Sequence, residues 1–167
     1  MSNVSGNKPI NEEKNLEFQE STKFGALREI SAIRHFIEQG FTVSIPNMSV
    51  RYDFIAEKYP IFLRVQVKNL IPKKKKTDHP SSQAVWCIRA YSTVFGKRRP
   101  YSIADCDVVV AISLETEDFA IVPISEVEGR SSEYRLSKHD DSKGKAYLNS
   151  YAAIEEIIFS YAKSIRI

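Results

Sequence analysis

Asp53, Gln66 and Lys68 lie within one short stretch, RYDFIAEKYPIFLRVQVKNL over residues 51–70, where an acid, an amide and an amine stand among apolar side chains. Carboxylate and amide oxygens are hard ligands that suit a divalent cation such as Mg²⁺, which commonly takes one or two carboxylates together with a substrate phosphate. An amine beside them can orient or help deprotonate an attacking water, or neutralise charge that develops on phosphorus oxygens. The chemistry this set implies is hydrolysis of a phosphate ester. A fourth residue joins it on helical grounds. At about 100° per residue, Ala26, Ile30, Ala32, Ile33, Phe36 and Ile37 of TKFGALREISAIRHFIEQG define one apolar arc, and Glu29 falls inside it. An acid on a buried face needs a hydrogen-bonding partner, a cation or a metal, because an unpaired buried carboxylate is costly or shifts to its neutral form. Arg28, Arg34, His35, Glu38 and Gln39 fall outside the arc and read as solvated. A structural ion pair to Arg64 or Lys68 is the other use open to Glu29.

The elements that must position these groups can be read from pattern. A helix runs from Thr22, as N-cap, to Gly40, as the C′ glycine. FTVSIP (41–46), RYDFIAE (51–57) and IFLRVQVKNL (61–70) follow as strands, with KYP as the hairpin turn. Alternation sends Leu63, Val65 and Val67 to one face and Arg64, Gln66 and Lys68 to the other, and the hairpin brings Asp53 within reach of the polar face. Residues 73–82 read as a basic loop, AVWCIRAY (84–91) as a fourth strand and FGKRRPYS as a second basic loop. DVVVAISL (107–114) and FAIVPI (119–124) form a hairpin around ETED, residues 130–145 are irregular, and AYLNSYAAIEEIIFSYAKSI closes the chain as an amphipathic helix. The order predicts an α/β fold, a mixed sheet flanked by helices.

With 43% apolar and 27% charged residues in a chain of 167, the composition is that of one globular domain. We read residues 1–20 as a polar N-terminal arm and 21–167 as the domain. The net charge is only +3, but cations gather at Lys73, Lys74, Lys75 and Lys76 and at Lys97, Arg98 and Arg99. Both runs are candidate contacts to a DNA backbone, and each is equally a solvated loop. Cys87 and Cys106 stand far apart without a CxxC or a His pair, so neither a disulfide framework nor a zinc finger is indicated. No apolar stretch is long enough to span a bilayer, and the expectation is a soluble, cytoplasmic protein with no membrane partner.

The constellation resembles the PD-(D/E)XK nucleases, the restriction-endonuclease-like superfamily, whose pattern is an Asp at a strand start, an acid and a Lys two apart on the next strand, and often a Glu on the preceding helix. Asp53, Gln66, Lys68 and Glu29 occupy those positions. More specifically, GALREISAIRHFIEQGFTVSIP, YDFIA, RVQVKN, the DVVVAI strand and a VPISEV strand are similar to the group I intron-encoded homing endonucleases of cyanobacterial type, over roughly residues 22–127. Tyr52 stands where the pattern has Pro, and Gln66 where it has an acid, which removes one negative charge from the site. The resemblance implies a Mg²⁺-dependent, site-specific DNA endonuclease in which Asp53, Glu29 and Gln66 hold the metal and Lys68 assists the nucleophile. It also implies a homo-oligomer, a tetramer rather than a dimer, cutting both strands of duplex DNA. A Holliday junction resolvase and an inactive DNA-binding module on the same scaffold are the alternatives.

Overall fold

The computed structural model describes residues 12–73, 85–137 and 143–165. Along the chain these form α1 (Glu12–Glu38), β1 (Thr42–Ser44), β2 (Phe54–Lys58), β3 (Ile61–Lys73), β4 (Val85–Ile88), β5 (Tyr91–Val94), β6 (Lys97–Pro100), β7 (Val108–Ile112), β8 (Phe119–Pro123), α2 (Ile124–Val127), β9 (Tyr134–Ser137), α3 (Lys143–Tyr147) and α4 (Ala152–Ile165).

β3 organises the sheet because it is long enough to serve several partners. Antiparallel β2 pairs with residues 61–65, parallel β7 with 65–69, and antiparallel β4 with 70–73. β1 extends the sheet beyond β2, β8 beyond β7, and β9 beyond β4, which makes the expected mixed sheet of seven strands. Among the described residues, 66–69 are therefore paired to β7 alone, between the start of β2 and the end of β4.

Period-two alternation buries each face of the sheet in a separate core. On one side Leu63, Val65 and Val67 pack with Ala32 and Phe36 of α1 and with Ala153 and Ile154 of α4. The Phe36 ring meets those of Phe41 and Phe54 edge-on, each at a centroid distance of 5.4 Å, a favoured aromatic geometry. On the other side Leu70, Trp86, Val109 and Val122 pack with Tyr101, Tyr134 and Leu136. Among the described residues no helix is long and apolar enough to cross a membrane.

Several local expectations are corrected. α1 begins at Glu12, so residues 12–20 of the expected arm are helical, and Thr22 is an interior residue whose hydroxyl donates to Phe18 O at 2.9 Å rather than an N-cap. Only the first two residues of the VPISEV stretch are strand, as the end of β8: α2 follows Pro123 directly. The irregular stretch after residue 130 contains β9, and the closing helix is divided, α3 ending at Tyr147 and α4 starting at Ala152 with Asn149 at φ 52 between them. The buried stripe of α1 is also rotated from the apolar arc. Ala32 and Phe36 are fully covered, whereas Ile30 is 64% and Ile37 57% exposed. His35, expected in solvent, is half-buried, with Nδ1 2.7 Å from the Tyr151 hydroxyl and its ring against Phe119. Residues 1–11 of the arm and Lys74, Lys75 and Lys76 of the first basic run lie outside the described residues.

The second basic run is a β-ribbon rather than a loop. β5 and β6 pair as Val94↔Lys97 across Phe95 and Gly96, with φ of 47° and 75°. Positive φ at both central residues belongs to the two-residue turn whose twist matches a hairpin. Phe95, at the tip, is 100% exposed.

Candidate active site

The unpaired stretch of β3 creates a demand for hydrogen bonds that Asp53 fills. A backbone N–H on an open strand edge needs an acceptor when it is shielded from water. Asp53 directly precedes β2, where Phe54 is opposite Val65, so its side chain comes to Gln66 on the adjoining strand. Its N–H donates to Val65 O at 2.8 Å. Its Oδ2 accepts from the Val67 N–H at 2.6 Å and from Gln66 Nε2 at 2.5 Å. Gln66 Nε2 also donates to its neighbour Val67 O at 3.1 Å, which holds the amide in one orientation. Asp53 Oδ1 and Gln66 Oε1 accept no hydrogen bond among the described residues.

Lys68 is on the same face as Gln66, and its Nζ donates to the Tyr101 hydroxyl at 2.9 Å. Tyr101 is 4% exposed, so this partner is fixed by packing. The guanidinium of Arg51 covers the same ring, 4.5 Å from its centroid, while its Nη1 donates to Asp105 Oδ2 at 2.6 Å and its Nη2 to Arg99 O and Pro100 O. Arg51 thus clamps the base of the β-ribbon onto the phenol that holds Lys68. From sequence, Tyr101 belonged to the second basic loop, open equally to DNA contact and to solvent, and Arg51 was given no role. The signal available for both was weak, because only the fold brings residues 51, 68 and 101 together.

The electrostatics of the acids are those of a site short of positive charge. Burial raises the pKa of Asp53, opposed by the Val67 N–H, the charge of Lys68 and the Gln66 amide. Glu29 is also raised, by loss of solvent and then by repulsion from Asp53, which places the two carboxylates in electrostatic reach. The expected burial of Glu29 is nevertheless wrong. Its side chain is exposed, because the buried stripe of α1 runs through Ala32 and Phe36 and leaves position 29 on the shoulder. Neither alternative partner engages it: Arg64 pairs bidentately with Asp107 at 2.7 and 3.0 Å and also donates to Ile103 O and Ala104 O, and Lys68 is held by Tyr101. Arg64 is therefore a clamp on the segment entering β7, not part of the polar cluster.

Among the described residues no three His, Cys, Asp or Glu side chains converge on a metal position. The donors present still fit a hard cation. They are two carboxylates that repel each other and whose charged forms a cation would favour, and a neutral amide oxygen that accepts no hydrogen bond among the described residues. Gln66 is the informative position. In Gln66→Glu a carboxylate oxygen would replace the amide nitrogen that now donates to Asp53, leaving two like charges in contact with one group forced to stay protonated. We expect a loss of ~2 kcal/mol in the metal-free protein, largely recovered on adding Mg²⁺. Thermal unfolding with and without the ion measures this, and an unchanged melting temperature in chelator would show that residue 66 does not face Asp53.

The expected cations fare unequally. Lys73 ends β3 in an ion pair with Glu133 at 3.2 Å. On β6, Arg98 lies over the Tyr91 ring at 5.0 Å and donates to Ser131 O at 2.9 Å, while the side chains of Lys97 and Arg99 are exposed.

The family profile described as PD-(D/E)XK endonuclease matches residues 19–154. Among solved structures, that of a bacterial homing endonuclease, I-Ssp6803I, is similar with a TM-score of 0.67 and 24% identity, over 88% of this chain and 99% of that one. At that identity the likeness is one of fold. Comparison with curated proteins finds no match. Because the profile spans α1, all the strands of the sheet and the start of α4, with Asp53, Gln66 and Lys68 clustered at its centre, the chain belongs to the PD-(D/E)XK endonuclease family.

Proposed function

We propose that the protein is a site-specific, Mg²⁺-dependent DNA endonuclease of homing type, a single nuclease domain from residue 21 onward that makes double-strand breaks. The observation that carries this reading is the cluster on the open edge of β3, where Asp53 is bonded to Gln66 and to the Val67 N–H, with Lys68 two residues beyond Gln66 on the same face. Asp53, Glu29 and the Gln66 oxygen would hold the metal, which when bound supplies Lewis-acid polarisation of the scissile phosphate. Asp53 also keeps the strand edge closed, so its free oxygen is aimed by the backbone rather than by a flexible side chain. Lys68 carries the positive charge that steadies the attacking water or the phosphate oxygens, and Tyr101 fixes where that charge sits.

DNA contact falls to the β-ribbon, with Lys97, Arg98 and Arg99 on β6 and Phe95 at its tip, and to the run from Lys73 through Lys74 and Lys75 to Lys76. A two-stranded ribbon fits the major groove, and phosphate contacts from cations supply the sequence-independent part of the affinity. One centre cuts one strand, so a double-strand break calls for at least two copies, and we favour a homotetramer. Self-association is supported by exposed apolar residues along α1, with Leu16 61%, Phe18 72%, Ile30 64% and Ile37 57% exposed.

Nicking of supercoiled plasmid carrying candidate targets should appear with Mg²⁺ and stop on chelation. Replacing Lys97, Arg98 and Arg99 together by Ala should flatten the dependence of log affinity on log salt by ~2–3 per protomer. Salt-sensitive binding with no metal-dependent nicking on any target would make the protein an inactive module. Preferential cutting of four-way junctions would make it a resolvase.

A further inference from the structure

Arg28, the residue before Glu29, is the polar side chain for which the nuclease centre so far has no use. Its Nε is fully buried and makes no hydrogen bond, and the side chain has no ion pair among the described residues. An arginine keeps its charge inside a protein, and a buried donor on a charged group left without an acceptor is costly. Burial pulls its pKa below the ordinary value. The side chain lines a pocket of about 410 Å³ with Phe24 of α1, Asn69 of β3, and Ser113, Leu114 and Glu115 of the turn after β7.

The place of this pocket in the sheet is telling. β3 and β7 are parallel, with Asn69 opposite Ile112, and the pocket lies just beyond that pair, where β3 leaves β7 for β4. In open sheets, ligands bind outside the carboxyl ends of parallel strands at such a change of neighbours. In sequence the pocket borders the nuclease centre, Arg28 preceding Glu29 and Asn69 following Lys68, while alternation turns Asn69 to the α1 face of β3 and Lys68 to the other. The two share the edge of β3 at residues 66–69, between its pairings with β2 and β4, so DNA laid across that edge brings a neighbouring phosphate to this pocket.

We infer that this pocket is a second phosphate site, in which Arg28 and Asn69 hold a backbone phosphodiester next to the one that is cut. The inference rests on the endonuclease reading for the position of that cut. A guanidinium with an amide donor suits a phosphodiester oxygen pair, and the partly exposed Phe24 and Leu114 offer apolar contact to the attached sugar. Exposed Glu115 on the same wall works against a free, doubly charged phosphate and favours the singly charged diester. The Ser113 hydroxyl oxygen accepts from the Thr116 N–H and hydroxyl, and its own proton is a further donor on this wall.

The test is a duplex series in which a neutral methylphosphonate replaces one phosphate at a time around the cut, with binding measured in chelator so that catalysis plays no part. Wild-type protein should lose about tenfold in affinity at one position within two nucleotides of the cut. Arg28→Met should show about the same loss on unmodified DNA and no further loss at that position, with Arg28→Lys between the two. Arg28→Met binding as wild type does, or a loss that adds to the methylphosphonate effect at every position, would overturn the inference. If Mg²⁺-dependent cutting is present and the coupling absent, the phosphate site alone fails. If the coupling is present and cutting absent, the nuclease reading fails, and with it the assignment of that phosphate to a cut.

Discussion

Lys68→Met removes metal-dependent nicking, by on the order of 10³-fold, while DNA affinity and melting temperature stay close to wild type. The expectation follows from what Lys68 touches. Its ammonium is bonded to the Tyr101 hydroxyl and to no carboxylate among the described residues, so its charge helps no ion pair seen there. Methionine keeps the aliphatic stem against the Tyr101 ring and deletes the charge alone. The phenol loses a donor but, unlike a charged group, tolerates this at modest cost. Single-turnover nicking gives the chemical step, a filter or fluorescence assay gives the affinity, and a thermal scan checks the fold. Lys68→Met that still nicks at a tenth of the wild-type rate or better would remove the lysine from the mechanism. A large drop in melting temperature would mean that its role is structural.

Asp53→Asn is expected to lose nicking to a similar degree, but with a different stability signature. The asparagine oxygen can still accept from the Val67 N–H, so the edge of β3 remains closed and the sheet intact. What disappears is a buried charge. The folded-state pKa of Asp53 lies above its unfolded value, so the ionised carboxylate weighs against folding at neutral pH and that penalty fades as the pH falls through the raised pKa toward the ordinary one. The variant should therefore melt at or above the wild-type temperature at pH 7 in chelator, and the difference should shrink toward pH 4. Mg²⁺ should raise the melting temperature of wild type and not of Asp53→Asn, because only the charged carboxylate gives the ion a preference for the folded state. Asp53→Ala is the contrasting case, since it strips the acceptor from Val67 N–H and Gln66 Nε2 together and should cost ~2–3 kcal/mol. A wild-type melting temperature indifferent to Mg²⁺, or Asp53→Asn less stable than Asp53→Ala, would contradict this account of the residue.

Some of this was legible in the residues alone because it depends only on local geometry. Alternation put Gln66 and Lys68 on one face of β3, and the KYP turn brought Asp53 to the strand beside them, whatever the rest of the chain did. The hairpin of β7 and β8, the C-terminal end of α1 and the mixed sheet followed from the same kind of pattern. Other features turn on what packs against what. An apolar arc on a helix is wider than the stripe a sheet can cover, so the sequence by itself could not tell that Phe36 is sealed while Ile30, Ile37 and Glu29 stay at the surface. The hydrogen bond from Lys68 to Tyr101 and the stacking of Arg51 on that ring join residues far apart in the chain, and no periodicity encodes them. Patterning thus determined the chemical inventory and its facing, whereas tertiary packing alone decided which acid is solvated, which phenol holds the lysine, and which arginine nitrogen is buried without a partner among the described residues, because those outcomes depend on surfaces that meet only once the strands have found their neighbours.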